Sequence, residues 1–273
     1  MNFDRLLVRY LRRTKIVSPK HIHRTVTDHN DHDAPRPGSN TGLIKIEPKA
    51  AIRVFLADNC LTFRDGLELA IKQSKNLQIV GRACSAEDVF KNNTLIPADV
   101  AVVDIDLPGQ SGFEVCQQLL QLAPAMSVVL ISYNDWDIYL LAAQTIHSKG
   151  LLLRSQPTHE LIAAIEKAFS RSIFTTEQLE RIQNWRNTTG ALLKNLGKRE
   201  WQVLQQVALG RSNREIATLL EVAKNTVEKH VSNILEKLGL DSRAMIMIFI
   251  YTNHLDEMSR LPHGDRFLKL LAN

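Results

Sequence analysis

Between residues 50 and 170, short apolar runs alternate with segments of helical periodicity, and this alternation leaves the region few folds to adopt. The runs at 52–57, 77–83, 100–103, 128–131 and 150–153 are β-branched or leucine-rich, as strands buried on both faces are. Helical patterns succeed them at 62–73, 86–92, 112–122, 136–147 and 159–169. Five βα units imply an α/β doubly wound parallel sheet, whose ligands gather at the carboxyl ends of the strands. Polar residues stand at those ends: Asp58-Asn59 after the first run, Asp104 after the third, Ser132 after the fourth and Arg154 after the fifth. Carboxylates beside a hydroxyl and a cation suit a divalent metal with a phosphoryl group. Asp104 is then the candidate nucleophile, through an aspartyl phosphate.

Residues 196–240 carry a different signature. Over 198–209, Trp201, Leu204, Val207 and Ala208 share one helical face. Gly210 supplies a left-handed stop, and Ser212 with Glu215 forms a capping box for the next helix, 213–220. After a break at 221–223, a third helix runs to Leu238 with Val227, Val231, Ile234, Leu235 and Leu238 on one stripe. It exposes Lys224, Asn225, Glu228, Lys229 and Ser232. Two helices joined by so short a turn make a helix-turn-helix, although the pattern also fits a small all-α bundle that binds a protein. A fourth helix, 242–253, is too apolar over 245–250 for a free surface.

Both regions resemble known families. GRSNREIA and KNTVEKHVSNILEKLGL are similar to the DNA-binding domain of LuxR/FixJ (NarL-type) regulators, over residues 196–251. That resemblance implies a small all-α four-helix domain whose third helix enters the major groove of double-stranded DNA. It puts Glu228, Lys229 and Ser232 at the bases, and Lys224, Asn225 and Thr226 nearer the phosphates. It also implies a homodimer joined through the fourth helix at Met245, Ile248 and Phe249, for which plain core packing is the other reading. ADNCLTFRDGLELA and DVAVVDIDLPGQSGFEVCQQL look like the receiver domain of two-component response regulators, over residues 52–170. This second resemblance implies a flavodoxin-like five-stranded sheet with Asp104 as phosphoacceptor. Mg²⁺ would be held by Asp58, Asp104 and the backbone carbonyl of Asp106, with Asn59 at the remaining ligand position. Ser132 and Arg154 would contact the phosphoryl group, and a sensor histidine kinase would be the partner.

The receiver departs from its pattern in ways that matter. Asn59 stands where a second acid is usual, so the site loses a charge that would hold Mg²⁺. Arg154 replaces a lysine, exchanging a compact ammonium for a wide planar fork. Leu151 takes the place of an aromatic switch residue, Tyr133 follows Ser132 where a smaller residue is common, and Cys60 stands where many relatives carry His. These departures predict a receiver phosphorylated slowly at Asp104 or not at all, with Mg²⁺ weakly held. Another signal, or constitutive dimerisation, would then set its state. Two other readings remain: a regulator working mainly through a protein partner, and an aspartate-based phosphatase using the Asp104-Ile105-Asp106 sequence. Against the phosphatase, that sequence comes after the third strand rather than the first, no cap insertion is present, and the helix-turn-helix has no part in such an enzyme. The expectation is a regulator, not an enzyme.

Charge refines the DNA argument. The net +5 lies largely in residues 1–49, with ten basic and five acidic residues, whereas 196–254 holds eight basic against six acidic. So mildly basic a helix-turn-helix needs dimerisation and a few placed phosphate contacts rather than a broad positive field. The division expected is a basic arm and flexible linker at 1–49, a receiver at 50–170, a linker at 171–195 with a helix at 177–185, the DNA-binding domain at 196–254 and an extension at 255–273. The arm has an amphipathic start (Phe3, Leu6, Leu7, Tyr10, Leu11 among arginines) and then His21, His23, His29 and His32 beside aspartates. It reads as solvated chain rather than a metal site. No apolar run is long enough to span a membrane, and Cys60, Cys84 and Cys116 lack disulfide or metal spacing, which predicts reduced thiols in the cytoplasm.

Overall fold

The computed structural model describes residues 50–91 and 98–261; the basic arm with its histidines, Asn92 and the end of the extension lie outside these. Five strands, β1 (Ile52–Ala57), β2 (Leu77–Ala83), β3 (Val100–Asp104), β4 (Ser127–Ser132) and β5 (Gly150–Leu153), form one sheet in the order β2-β1-β3-β4-β5. All neighbouring pairs are parallel. The order reverses beside β1, which puts the crevice of the doubly wound sheet between the ends of β1 and β3. Helices α1 (Leu61–Gln73), α2 (Ala86–Lys91), α3 (Gly112–Leu122), α4 (Asp137–Thr145) and α5 (Thr158–Ala168) connect the strands. Strands β3 and β4 are buried along their whole length, as continuous apolar runs require. Strand β3 runs one residue further than expected and takes Asp104 into the ladder opposite Ile131, so the candidate acceptor sits on sheet rather than loop. Ser111 and Glu114 close a capping box at the start of α3, which anchors the loop after Asp104. Gly112 is required there: a Cβ would come within 2.0 Å of the Asp104 carbonyl oxygen.

The segment expected as a linker with a helix at 177–185 holds that helix and packs on the receiver. Residues 172–174 run along the edge of β5, where Ile173 N donates to the Lys149 carbonyl, and Ile173 fills the space a Cβ on Gly150 would need. Helix α6 (Thr176–Trp185) then continues through a π turn, Arg186–Gly190, into the short α7 (Ala191–Leu193). Arg181 of α6 pairs with Asp135 and Asp137 at the start of α4, at 2.6 and 2.7 Å, and so seats α6 on the receiver.

Four helices come next: α8 (Lys198–Ala208), α9 (Asn213–Leu219), α10 (Lys224–Leu238) and α11 (Arg243–Thr252). Trp201, Leu204, Val207, Ile216, Val227, Val231, Ile234 and Leu238 are buried together with Phe249 and Ile250 of α11, so the stripes read from sequence are the core. The Ser212–Glu215 capping box is present, and Gly239 ends α10 in the left-handed conformation at φ 64°. Glu200 is buried and meets Lys237 Nζ at 2.6 Å and the Gly197 N–H at 2.7 Å, tying α8 to the end of α10. Burial alone would raise its carboxyl; Lys237 and the Gly197 N–H outweigh that and hold it below the usual range. Beyond α11 the chain turns at His254 (φ 53°) into a 3₁₀ turn, Leu255–Arg260. Among the described residues, no helix is long and apolar enough to cross a membrane.

Candidate functional site

The ends of β1, β3, β4 and β5 bring Asp58, Asp104, Ser132 and Arg154 together. Arg154 Nη2 lies 2.8 Å from Asp58 Oδ2 and 2.6 Å from Asp104 Oδ2. A single guanidinium nitrogen is therefore shared by two carboxylates, a pairing by charge rather than the bidentate fork arginine often makes. All three groups are inside: the side chains of Arg154, Asp58 and Asp104 are 4%, 6% and 1% exposed. Asp58 Oδ1 accepts the Cys60 N–H and Asp104 Oδ1 the Asp106 N–H, so each carboxylate has one oxygen on the backbone and one on the arginine. The guanidinium carbon stands 4.5 Å from the centre of the Phe63 ring and 4.9 Å from that of Tyr133, and these two cation–π contacts add to its hold. Ser132 is buried, and its Oγ accepts the Asn134 N–H at 3.0 Å, while its carbonyl accepts the Arg154 N–H.

Charge balance is set by this packing. Burial pushes the Asp104 carboxyl above its usual range, and Arg154 with the Asp106 N–H offsets only part of that. Burial alone would lower Arg154, but the two aspartates outweigh it and raise it, so the guanidinium stays charged.

As a Mg²⁺ site the donor set does not fit. A magnesium ion takes near-octahedral oxygen ligands at short range, yet one oxygen of each aspartate is already committed to Arg154. Asn59, at the position of the missing acid, is exposed and adds no charge. The Asp106 carboxylate lies 2.6 Å from Arg260 Nη1 in the 3₁₀ turn, which leaves its backbone carbonyl, the ligand the resemblance implies, out of that pairing.

The second candidate surface is α10. Lys224, Asn225, Thr226, Glu228, Lys229 and Ser232 are all exposed, opposite the buried Val227, Val231 and Ile234. Glu228 is engaged within the helix, its carboxylate 3.1 Å from Lys224 Nζ, and the Ser232 hydroxyl donates to the Glu228 carbonyl. Of the three residues expected to dimerise, Met245 is half-buried, whereas Ile248 and Phe249 are 9% and 1% exposed and belong to the chain's own core. Several contributors escaped the sequence reading: Phe63 over the guanidinium, and Trp136, Tyr139, His254, Glu257 and Arg260, which meet where the two halves touch. Trp136 and Tyr139 fall in the helix read at 136–147, but no periodicity or motif marks the contacts these residues make.

With this geometry in view, the comparisons with known proteins agree on both halves. Residues 54–166 match the response regulator receiver domain family, and residues 194–250 match the bacterial regulatory proteins of the luxR family. The chain belongs to the response regulators of the LuxR family, DNA-binding transcriptional regulators built from a receiver and a helix-turn-helix domain. Among curated relatives, the uncharacterized transcriptional regulatory protein YxjL of Bacillus subtilis (strain 168) is 29% identical, over 75% of this chain and 97% of its own length. The response regulator protein VraR of Staphylococcus epidermidis is 26% identical, over 75% and 99%. In fold, the chain is similar to the response regulator RcsB in its DNA complex, at 20% identity and a TM-score of 0.53, covering 74% of this chain and 99% of that one.

Proposed function

We propose that this regulator binds double-stranded DNA as a homodimer through α10, and that its receiver is an atypical switch in which Arg154 takes the place of a bound cation. The observation that carries the second part is the single guanidinium bridging Asp58 and Asp104. Phosphoryl transfer to Asp104 needs a free carboxylate oxygen and positive charge to steady the incoming group. Here the charge is present, but it occupies the nucleophile. Mg²⁺ is then at most a weak ligand, and a sensor histidine kinase, the partner a receiver implies, acts slowly on Asp104. The protein works in the cytoplasm, where its DNA is. The test is incubation with acetyl phosphate or beryllofluoride and Mg²⁺. The expected result is little modification of the wild type and faster modification of Arg154→Lys, whose shorter side chain draws the charge back from the two carboxylate oxygens. Rapid, stoichiometric labelling of the wild type that vanishes in Asp104→Ala would overturn the reading.

On the DNA side, Lys229 is the best-placed reader of α10, because Glu228 is already paired with Lys224 and Ser232 with its own backbone. Lys229→Ala weakens specific binding by about 1–3 kcal/mol if it reads a base. Titration against specific and random DNA checks this, since an equal loss on both assigns Lys229 to the phosphates instead. Two half-sites about one helical turn apart suit such a dimer.

A further inference from the structure

The chain continues past residue 250, where the match to the luxR family ends, and its continuation folds back onto the receiver. The His254 ring stacks on Trp136, with centroids 4.1 Å apart and planes 7° from parallel. Tyr139, buried in α4, donates its hydroxyl to Glu257 Oε2 at 2.9 Å. Arg260 pairs with Glu257 at 3.1 Å and with Asp106 at 2.6 Å. Thr189 Oγ1 and Asn253 Oδ1 meet at 2.6 Å on the side of the π turn. Leu255, Met258 and Leu261, the apolar residues of the turn, are buried. The contact to the receiver therefore combines an aromatic stack with a hydrogen-bonded ionic rim, on a turn whose apolar residues are buried.

We infer that residues 253–261 are a clasp that fixes the DNA-binding domain on the α4 face of the receiver, and that Asp106 links this clasp to Asp104. Two observations give it its sense. The reading face of α10 is exposed while the clasp is closed, so the clasp does not mask that surface; what it sets is the position of the domain. Asp106 also holds both ends of the link, its N–H on Asp104 Oδ1 and its carboxylate on Arg260. A change of charge or contact at Asp104 is thus felt two residues away by the cation that joins the extension to the receiver loop. Whichever element joins two copies, a positioned domain offers the second recognition helix at a set spacing. A loose one must search for it, at a lower effective concentration. This consequence for DNA rests on the DNA-binding reading of α10; the clasp itself does not.

The experiment uses the full chain at about 0.15 M salt, where charges further apart than about 8 Å are largely screened. X-ray scattering in solution and binding to one or to two half-sites are measured for the wild type, Arg260→Asp, and Arg260→Asp combined with Asp106→Arg. Opening of the clasp predicts a larger radius of gyration for Arg260→Asp, unchanged affinity for a single half-site and several-fold weaker binding to the pair. The charge swap is expected to reverse both changes. If circular dichroism shows Arg260→Asp unfolded, Tyr139→Phe serves in its place, since it removes only the hydroxyl that reaches Glu257. Unchanged scattering with unchanged pair binding overturns the clasp. A rise in single-site affinity would make it a mask and overturn the positioning role. Should no variant, wild type included, bind DNA, the DNA-binding reading fails while scattering still decides whether the clasp exists.

Discussion

Arg154→Ala is expected to destabilise the fold by about 3–5 kcal/mol near neutral pH, because it leaves two buried carboxylates facing each other without their shared counter-charge. Asp58 and Asp104 are 6% and 1% exposed at the side chain, so in the intact protein the guanidinium rather than water balances their charge. The loss is pH-dependent with a definite sign. The repulsion exists only while both carboxyls are ionised, so the variant recovers part of its loss as the pH falls and one of them is protonated. The loss of its partner cation would move Asp104, already raised by burial, further up. Millimolar Mg²⁺ should also recover the variant, since a cation that binds only the folded site stabilises by mass action, and should leave the wild type unmoved. Thermal melts with and without Mg²⁺ at two pH values check both statements. A variant as stable as the wild type would mean that the aspartates do not depend on Arg154.

Phe249→Ala should cost a similar amount, about 3–5 kcal/mol, for the different reason that it empties a packed core. Phe249 is 1% exposed within one chain, beside Ile246 and Ile250 on α11. If that burial is its role, the loss is independent of protein concentration. Were Phe249 instead the dimer contact that the family resemblance implies, the effect would grow on dilution and sedimentation would show a shifted monomer–dimer equilibrium. A dimer joined through Ile248 and Phe249 would first have to take α11 out of its own domain's core. Half-exposed Met245 and the exposed Tyr251 are the parts of this helix that remain free to meet a neighbour.

Much of the fold was legible because burial leaves a mark on composition. β3 and β4 are enclosed on both sides, so their apolar runs are uninterrupted, and their ends could be read to within a residue or two. The Ser212–Glu215 box and Gly210 announced helix ends of the second domain through chemistry that is local to the chain. Asp58, Asp104, Ser132 and Arg154 were found because strand ends in such a sheet converge. What could not be read is how far a long side chain reaches. Nothing in the order of residues says that Arg154 lies between Phe63 and Tyr133 and touches both aspartates, since that depends on rotamers and on elements distant in the chain. The apolar run of α11 is ambiguous for a related reason: a stripe that packs inward and one that meets a second copy have the same periodicity. Residues 171–195 carry the helix expected at 177–185, but that Arg181 on it finds Asp135 and Asp137 could not be read, since polar pairing of that kind leaves no periodic trace.

The open face of α10 has a kinetic meaning as well as a structural one. A recognition helix that is already uncovered enters the groove without waiting for the protein to rearrange. Its arrival on DNA is limited by encounter and orientation, not by the lifetime of a hidden state. On the clasp proposed above, control would fall on how long the pair of domains stays in place once landed, and on whether the second domain is held where the second half-site lies.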